Sequence, residues 1–258
     1  MKGKHYRIEE LMYFPSGKFL KEIAIGYDCI FADFIWLRAI QYFGEHRMTD
    51  LKFQYLGHIL DVLTTLDPQF VHAYTLGSLL LTHCAKESDR TLTLLDKGMK
   101  ENPDKWEIPY TKGFIYYIFL RKFDFAVKYF LEASKVPKAP EMCERFAAFV
   151  YAKMGERELS IRLWKELYER TKNEMEKETA LRYIKRLVME GHLEDLQAAV
   201  GKYKKTFGEY PHSLRDLITA NIIDSIPEEP HNGHYYFSYL EKKVKSTGRP
   251  TVPLHHEK

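Results

Sequence analysis

Residues 15–18, Pro-Ser-Gly-Lys, form the first segment whose residue types suggest chemistry. A Gly-Lys pair occurs in loops that wrap the phosphates of a nucleotide, where backbone N–H groups hold the oxygens and the lysine neutralises charge. Such a loop also needs a glycine five residues before the pair and a serine or threonine after it. Met12 and Phe19 occupy those positions. The segment therefore does not predict a nucleotide site.

Histidines are concentrated late in the chain and are the next candidates, as metal ligands. They are His212, His231, His234, His255 and His256, with Glu228 and Glu229 nearby. Neutral imidazole is a common metal ligand. However, no two of these histidines are four residues apart on a helix, and the region is rich in loop residues. We interpret them as solvated loop side chains and expect no metal or other cofactor.

Paired carboxylates and free thiols complete the candidates for catalysis. Asp28 and Asp33 are five residues apart, so a helix turns them about 140° from each other. That arrangement suits caps or an ion pair with Arg38 better than shared acid–base work. The three cysteines show neither metal-ligand spacing nor a local Cys-His motif, and we expect packed free thiols. They are Cys29, Cys84 and Cys143. These observations predict that the protein is not an enzyme.

Composition narrows the class of partner. Hydrophobic residues make up 45% of the chain and charged residues 29%, which is typical of a folded protein and not of a disordered one. The net charge is only +3 with mixed signs, whereas a nucleic-acid binder usually gathers Lys and Arg into a basic face. We therefore expect a protein or peptide partner and no nucleic acid.

The longest apolar window, 23–43, tests for a membrane span. It contains Asp28, Asp33 and Arg38, each of which would cost roughly 2.5 to 3.5 kcal/mol at the centre of a bilayer. The window therefore predicts a buried helix without membrane insertion. The compartment stays open between the cytoplasm and, if an anchor precedes residue 1, the envelope. Scarce Asn and Gln beside abundant Lys and Glu indicate a thermophilic source.

An internal repeat must position any binding residues. Small residues allow close helix contact, large apolar residues fill the space between turns, and a proline closes the unit. In the clearest unit these residues are Gly113, Tyr116, Ala126, Phe130, Ala133 and Pro137. Neighbouring units contain Ala39, Tyr42, Leu56, Leu60, Leu63 and Pro68; Gly77, Leu80, Thr91, Leu95, Gly98 and Pro103; and Ala148, Tyr151, Gly155, Ser160, Trp164 and Leu167.

This pattern resembles the tetratricopeptide repeat, whose period is about 34 residues. The resemblance implies an all-α fold, a right-handed superhelix of α-α pairs at 23–68, 69–103, 104–137 and 138–174, after an N-terminal extension at 1–22. A weaker fifth helix pair is predicted at 175–208, with Gly191 at its turn. Three or more stacked pairs can bury a continuous core that no single pair could.

In the tetratricopeptide family, the first helix of each pair lines the concave face, where partners bind. The matching positions here are Asp33, Trp36, Phe43, Tyr74, Leu81, Tyr110, Phe114, Tyr117, Arg145, Phe149 and Lys153. Most are aromatic, and aromatic residues and Arg dominate binding hot spots. Such a groove suits a peptide with apolar anchors, although the same rings could instead pack internally. The Lys and Asn positions of the carboxylate-clamp version are not reproduced, so chaperone-tail recognition is not expected.

After Gly208, helical periodicity lapses and turn residues dominate. Segment 209–258 predicts a short helix, a Pro-braced loop and a small hairpin. The residues from Phe207 to Pro211, 213–217, Ile226-Pro227, Pro230 and 235–237 resemble the globular part of type II secretion pseudopilins and type IV pilins. The resemblance covers 193–248. The sequence lacks the apolar N-terminal helix and the acidic calcium-binding loop of that family. The resemblance therefore implies a pilin-like appendage and not a filament subunit.

Together the two resemblances imply a non-catalytic scaffold or adaptor, in pilus or type II secretion envelope assembly. The alternative is a general cytoplasmic adaptor whose tail only caps the repeats.

Overall fold

The computed structural model describes residues 15–248. Predicted features at 1–14 and 249–258, among them His255 and His256, lie outside the described residues. The chain divides into two compact units, Met1–Ala147 and Ala148–Lys258. The described chain is mostly helical, with a small two-stranded antiparallel sheet near its C-terminus, which confirms the coarse fold prediction.

The first unit contains seven α-helices and two π-helical turns among its described residues. They are α1 (Gly17–Ala24), α2 (Asp28–Met48), α3 (Leu56–Leu66), α4 (Val71–Leu80), π1 (Leu81–Ala85), α5 (Ser88–Glu101), α6 (Glu107–Ile115), π2 (Tyr116–Leu120) and α7 (Phe123–Ser134). The next helix, α8 (Met142–Met154), contains the boundary between the units. Helix α1 begins inside the predicted N-terminal extension and ends two residues beyond it.

The second unit continues with helices and ends in the hairpin. Its elements are α9 (Arg157–Arg170), α10 (Glu174–Phe207), α11 (Arg215–Thr219), β1 (Tyr235–Ser238) and β2 (Lys243–Ser246). The strands pair so that Tyr235 lies opposite Ser246 and Phe237 opposite Val244. The short helix and hairpin expected in the tail are therefore present.

The backbone repeats in the connections between helices. A left-handed residue follows the first helix of each pair, at Leu51, Lys86, Arg121 and Gly155, so successive positions are 35, 35 and 34 residues apart. Non-glycine residues rarely adopt positive φ, and three of these four are not glycine. In the middle two pairs the N–H that follows donates to a carbonyl six residues back, in Leu81 and Tyr116. The repeat period of 34–35 residues is therefore present in the backbone conformation as well as in the side-chain pattern.

Small residues set the distances between helices in the first unit. A Cβ on Gly77 would lie 2.5 Å from the Leu60 side chain, and one on Gly98 would lie 2.6 Å from the Tyr74 ring. Helix α4 contacts both α5 and α6, and α3 contacts α4. A continuous core then runs from α2 to α6. The buried amide of Asn102 donates to the Pro68 carbonyl at 2.8 Å and joins the ends of α5 and α3.

The predicted fifth helix pair is wrong, because 174–207 forms one helix, α10. The Asn173 side chain caps its start by accepting from the Met175 N–H at 3.0 Å, and Gly208 ends it in the left-handed conformation. Gly191 lies inside the helix without a positive φ. A helical glycine costs about 1 kcal/mol relative to alanine, and the buried Leu187 and Leu196 on either side offset that cost.

The tail packs on the C-terminal half of α10. Leu196 and Val200 of the helix share a core with Tyr235, Phe237 and Val244 of the hairpin. Gln197 holds the start of β2 with both ends of its amide: Oε1 accepts from the Val244 N–H at 2.7 Å and Nε2 donates to the Lys242 carbonyl at 3.2 Å. Helix α10, α11 and the hairpin therefore form one packed module.

Two further expectations concern burial. Cys143 is buried as predicted and Cys84 is half-buried, but Cys29 is exposed, so the prediction of three packed thiols is wrong for Cys29. Across residues 15–248, no helix combines the length and the apolar character that crossing a membrane requires.

The contact at Gly98 yields a test. Gly98→Ala should lower the melting temperature, because the new methyl overlaps the ring of the buried Tyr74 and overpacking costs about 1–3 kcal/mol, more than the gain of about 1 kcal/mol in helix propensity. Gly201 is the matched control, since its Cβ would meet nothing within 4 Å; Gly201→Ala should leave the melting temperature unchanged or raise it. Thermal denaturation followed by circular dichroism measures both. A stabilised Gly98→Ala variant would contradict the packing described.

Candidate functional site

An apolar pocket opens between α2 and α4 in the first unit. Its volume is about 230 Å³, and no charged side chain lines it. The lining residues are Trp36, Ala39, Ile40 and Phe43 of α2, Leu56 and Leu60 of α3, and Leu76, Gly77 and Leu80 of α4. The two helices that form its walls are each the first of a consecutive pair.

The pocket exists because small residues sit between large ones. Ala39 and Gly77 project little into the space, and Leu60 fills the floor against Gly77. Two aromatic contacts hold the walls in place. Trp36 packs on Phe70 with ring centroids 5.6 Å apart, and Phe43 stacks on Phe53 at 5.5 Å.

Three predicted binding residues belong to α2, and the structure separates them. Trp36 and Phe43 are half-buried and line the apolar pocket. Asp33 is exposed and lines a different concavity of about 400 Å³, beside Cys29, Phe70 and His72. The pocket itself therefore presents only apolar surface.

The prediction that Tyr74 and Leu81 line the binding groove is wrong. Both side chains are fully buried, so neither offers surface to a partner. Tyr74 fills the space against Gly98, and burial raises the pKa of its hydroxyl to about 12. Leu81 begins π1 inside the core that α2 to α6 share. The spacing of residues along the sequence does not show which of these positions face the core.

The predicted binding residues of the third repeat, 104–137, are all half-buried. They are Tyr110, Phe114 and Tyr117. Tyr110 packs on Phe130 at 5.3 Å and on Phe146 at 5.6 Å, and burial raises the pKa of its hydroxyl to about 12. Tyr117 contacts Phe123 at 6.0 Å. The ring of Tyr110 thus contributes mainly to packing between α6, α7 and α8.

The predicted binding residues of α8 fall on both sides of the boundary between the two compact units. Arg145 is half-buried in the first unit, whereas Phe149 and Lys153 belong to the second. Phe149 packs edge-on against Trp164 at 5.2 Å and Tyr183 at 4.7 Å, so it supports the core of α8, α9 and α10. Lys153 is exposed.

Among the residues first considered for chemistry, Ser16 and Glu229 make structural hydrogen bonds. Ser16 caps α1, since its Oγ accepts from the Phe19 N–H at 3.4 Å. Asp33 and the half-buried Asp28 lie on α2. In the tail, the buried Glu229 accepts from the N–H groups of His231 and Gly233, both at 2.7 Å. Within residues 15–248, no three His, Cys, Asp or Glu side chains are placed to hold a metal ion.

Lys112 is the most deeply buried cation of the first unit's described residues. Its ammonium pairs with Asp96 and lies 4.4 Å from the centre of the Tyr129 ring. Burial by itself lowers the pKa of Lys112, but the hydrogen bonds with Asp96 and Tyr129 outweigh it and raise the pKa. A permanently charged lysine cannot act as a base or nucleophile near neutral pH, so this site stabilises the packing of α5, α6 and α7.

Sequence reasoning missed two pocket residues, Ile40 and Leu76, and named Leu80 only as a repeat position. A usable signal was present, because Ile40 lies one turn after Trp36 and Leu76 directly precedes the small Gly77. Neither signal distinguishes a pocket wall from a core position without the position of α4.

Comparisons with known proteins do not assign the chain to a family. No protein-family model matches the sequence, and no curated protein is significantly similar to it.

The pocket yields a ligand test. Benzene should bind in it, because a 150 Å³ apolar cavity is known to take up benzene and this pocket is larger and lined only by apolar residues. In methyl-labelled protein, NMR signals of Ile40, Leu76 and Leu80 should move on titration. The methyls of Leu181, an exposed leucine of α10, serve as the control and should not move. Equal shifts at Leu181 would show unspecific partitioning and no formed pocket.

Proposed function

We propose that this protein is a tetratricopeptide-like, non-catalytic scaffold that binds an apolar side chain of a partner protein or peptide between α2 and α4. The carrying observation is the pocket itself, which is apolar on every side and bordered by Trp36 and Phe43. The 34–35-residue backbone period supports the tetratricopeptide resemblance. So do the contacts of α4 with both α5 and α6, since first helices in that family pack on each other.

The chemistry of the pocket defines the class of partner. A volume of about 230 Å³ lies below the 300–1,000 Å³ of drug-sized sites, and suits one or two aliphatic or aromatic side chains. The absence of lining charge argues against recognition of a terminal carboxylate. An amphipathic helix or an extended segment with a Leu, Ile or Phe anchor is the partner that fits.

The tail supports a place for this scaffold in pilus or type II secretion assembly. A hairpin packed on the C-terminal half of the 34-residue α10 is consistent with the pseudopilin-like resemblance. Tyr236, Tyr239 and Leu240 remain exposed on the hairpin and its turn, with Leu240 96% exposed. Exposed apolar residues at a loop tip offer a contact surface. The alternative is a general adaptor whose tail only covers the end of the helices.

Leu76→Glu tests the pocket. Leu76 borders it and is 43% exposed, so a charge there leaves the core intact. Peptides selected from a random library on the wild-type chain should share an apolar anchor, and the variant should bind them at least about tenfold more weakly, as loss of one buried aliphatic side chain predicts. Fluorescence anisotropy measures the affinity.

The matched control is Leu181→Glu, which changes a leucine of similar exposure, 40%, on α10. It should bind the same peptides as the wild type does. Unchanged binding by Leu76→Glu, or peptides without a common apolar residue, would contradict the pocket as the binding site.

A second experiment separates scaffold in envelope assembly from general adaptor. Affinity capture from the source cells would compare the wild type with a Tyr236→Ser/Leu240→Glu variant, which changes only exposed residues of the hairpin region. Loss of pilus or secretion components in the variant supports the envelope hypothesis. An unchanged set of captured proteins indicates that the tail is a cap.

A further inference from the structure

Helix α2 is apolar on two opposite sides, and only one of them is covered. The inner side carries Ala32, Ile35, Ala39, Tyr42 and His46, all buried. The outer side carries a second stripe, which consists of Tyr27, Ile30, Phe34, Leu37, Gln41, Gly44 and Met48, all exposed. The five large side chains of this outer stripe are between 56% and 85% exposed. A helix that is apolar all round is normally buried.

The spacing of the outer stripe is that of a helix–helix seam. Its residues alternate three and four positions apart through three heptads, which is the a/d pattern of two-stranded coiled coils. Any stripe along one side of an α-helix has this spacing. Charge and side-chain size, and not the spacing, therefore decide between a second helix and other partners.

Charge identifies which helix. On α2 the charged side chains that are exposed are Asp33 and Arg47, two heptads apart on the same flank of the stripe. In an antiparallel pair of α2 helices, Asp33 of each copy lies on the same edge as Arg47 of the other and within two residues' rise, about 3 Å, along the axis. The opposite charges therefore pair twice. The half-buried Arg38 lies against the stripe, because its guanidinium is 5.9 Å from the centre of the Phe34 ring and donates to Oε1 of Gln41 at 3.1 Å. Asp28 and Glu45 are also half-buried.

Side-chain size agrees with the same arrangement. Aligning two α2 helices antiparallel about residue 39 places Phe34 opposite Gly44, Leu37 opposite Gln41, and Ile30 opposite Met48. Gly44 has open space, since a Cβ there would meet nothing within 4 Å, and it can accept the ring of Phe34. Antiparallel helices also align their dipoles favourably.

We propose that the chain forms a symmetric homodimer in which the outer stripes of two α2 helices pack antiparallel. A two-fold interface uses the same patch on both copies and closes on itself. This inference goes beyond the proposed peptide binding, because it uses the outer side of α2 and not Leu76 or Leu80 of α4.

Leu37→Glu tests the stripe. Sedimentation velocity should show a wild-type dimer at micromolar concentration. The dissociation constant of the variant dimer should be at least about a hundredfold higher, because the two-fold symmetry removes two buried leucines at once. Leu181→Glu, on an exposed site of α10, is the control and should stay dimeric. A monomeric wild type at 100 µM (about the upper range of the measurement, where even weak interfaces associate) would overturn the proposal, and so would an unchanged Leu37→Glu dimer.

Charge exchange tests the orientation without touching the apolar core. Asp33→Arg and Arg47→Asp should each weaken the dimer by about tenfold at low salt, because each creates two like-charge contacts. The variant that combines both substitutions should recover wild-type association, since the two exchanged side chains again face opposite charges. Failure of this double variant to recover would exclude the antiparallel register, and the proposal with it. Wild-type monomers that instead bind neutral lipid vesicles would likewise overturn it and assign the stripe to a membrane surface.

Discussion

Close contact between helices at glycine and alanine is the constraint on which the rest of the first unit depends. Gly77 admits Leu60, Gly98 admits Tyr74, and Gly113 lies against Phe130, each at a distance that leaves no room for a Cβ. These contacts join α3 to α4, α4 to α5, and α6 to α7. Because protein interiors are packed as densely as organic crystals, moving one of these backbones outward would open the core of the pairs on both sides of it.

The same constraint explains the candidate pocket. Ala39 of α2 and Gly77 of α4 project little into the space between these two helices, and Leu60 covers only its floor, so the core is not filled there. Gly98 and Gly113 are instead covered by the rings of Tyr74 and Phe130. The pocket is therefore a space between two repeats that no side chain of this protein fills, and a side chain of a partner can occupy it.

The distribution of apolar surface on α2 connects the pocket with the outer stripe. One side of this helix packs on α3, one flank borders the pocket, and the outer side is exposed. Burying an exposed leucine is worth about 1.5–3 kcal/mol, so each uncovered surface gains free energy when it meets a partner. If separate partners bind these two surfaces, α2 contributes to both the pocket and the dimer interface.

The sequence alone determined the helical class, the repeat period and the hairpin, because each depends on local signals: small residues, prolines at helix starts, and turn residues after Gly208. Gly191 shows the limit of such signals. Glycine is compatible with a turn and with a helix interior, and only the packing of α10 on α9 and on the hairpin decided for the helix. Tertiary structure likewise decided which aromatic residues are available. Trp36 and Tyr74 occupy first helices of adjacent pairs, yet one borders an open pocket and the other fills the core, because exposure depends on the neighbouring helix and not on the residue itself.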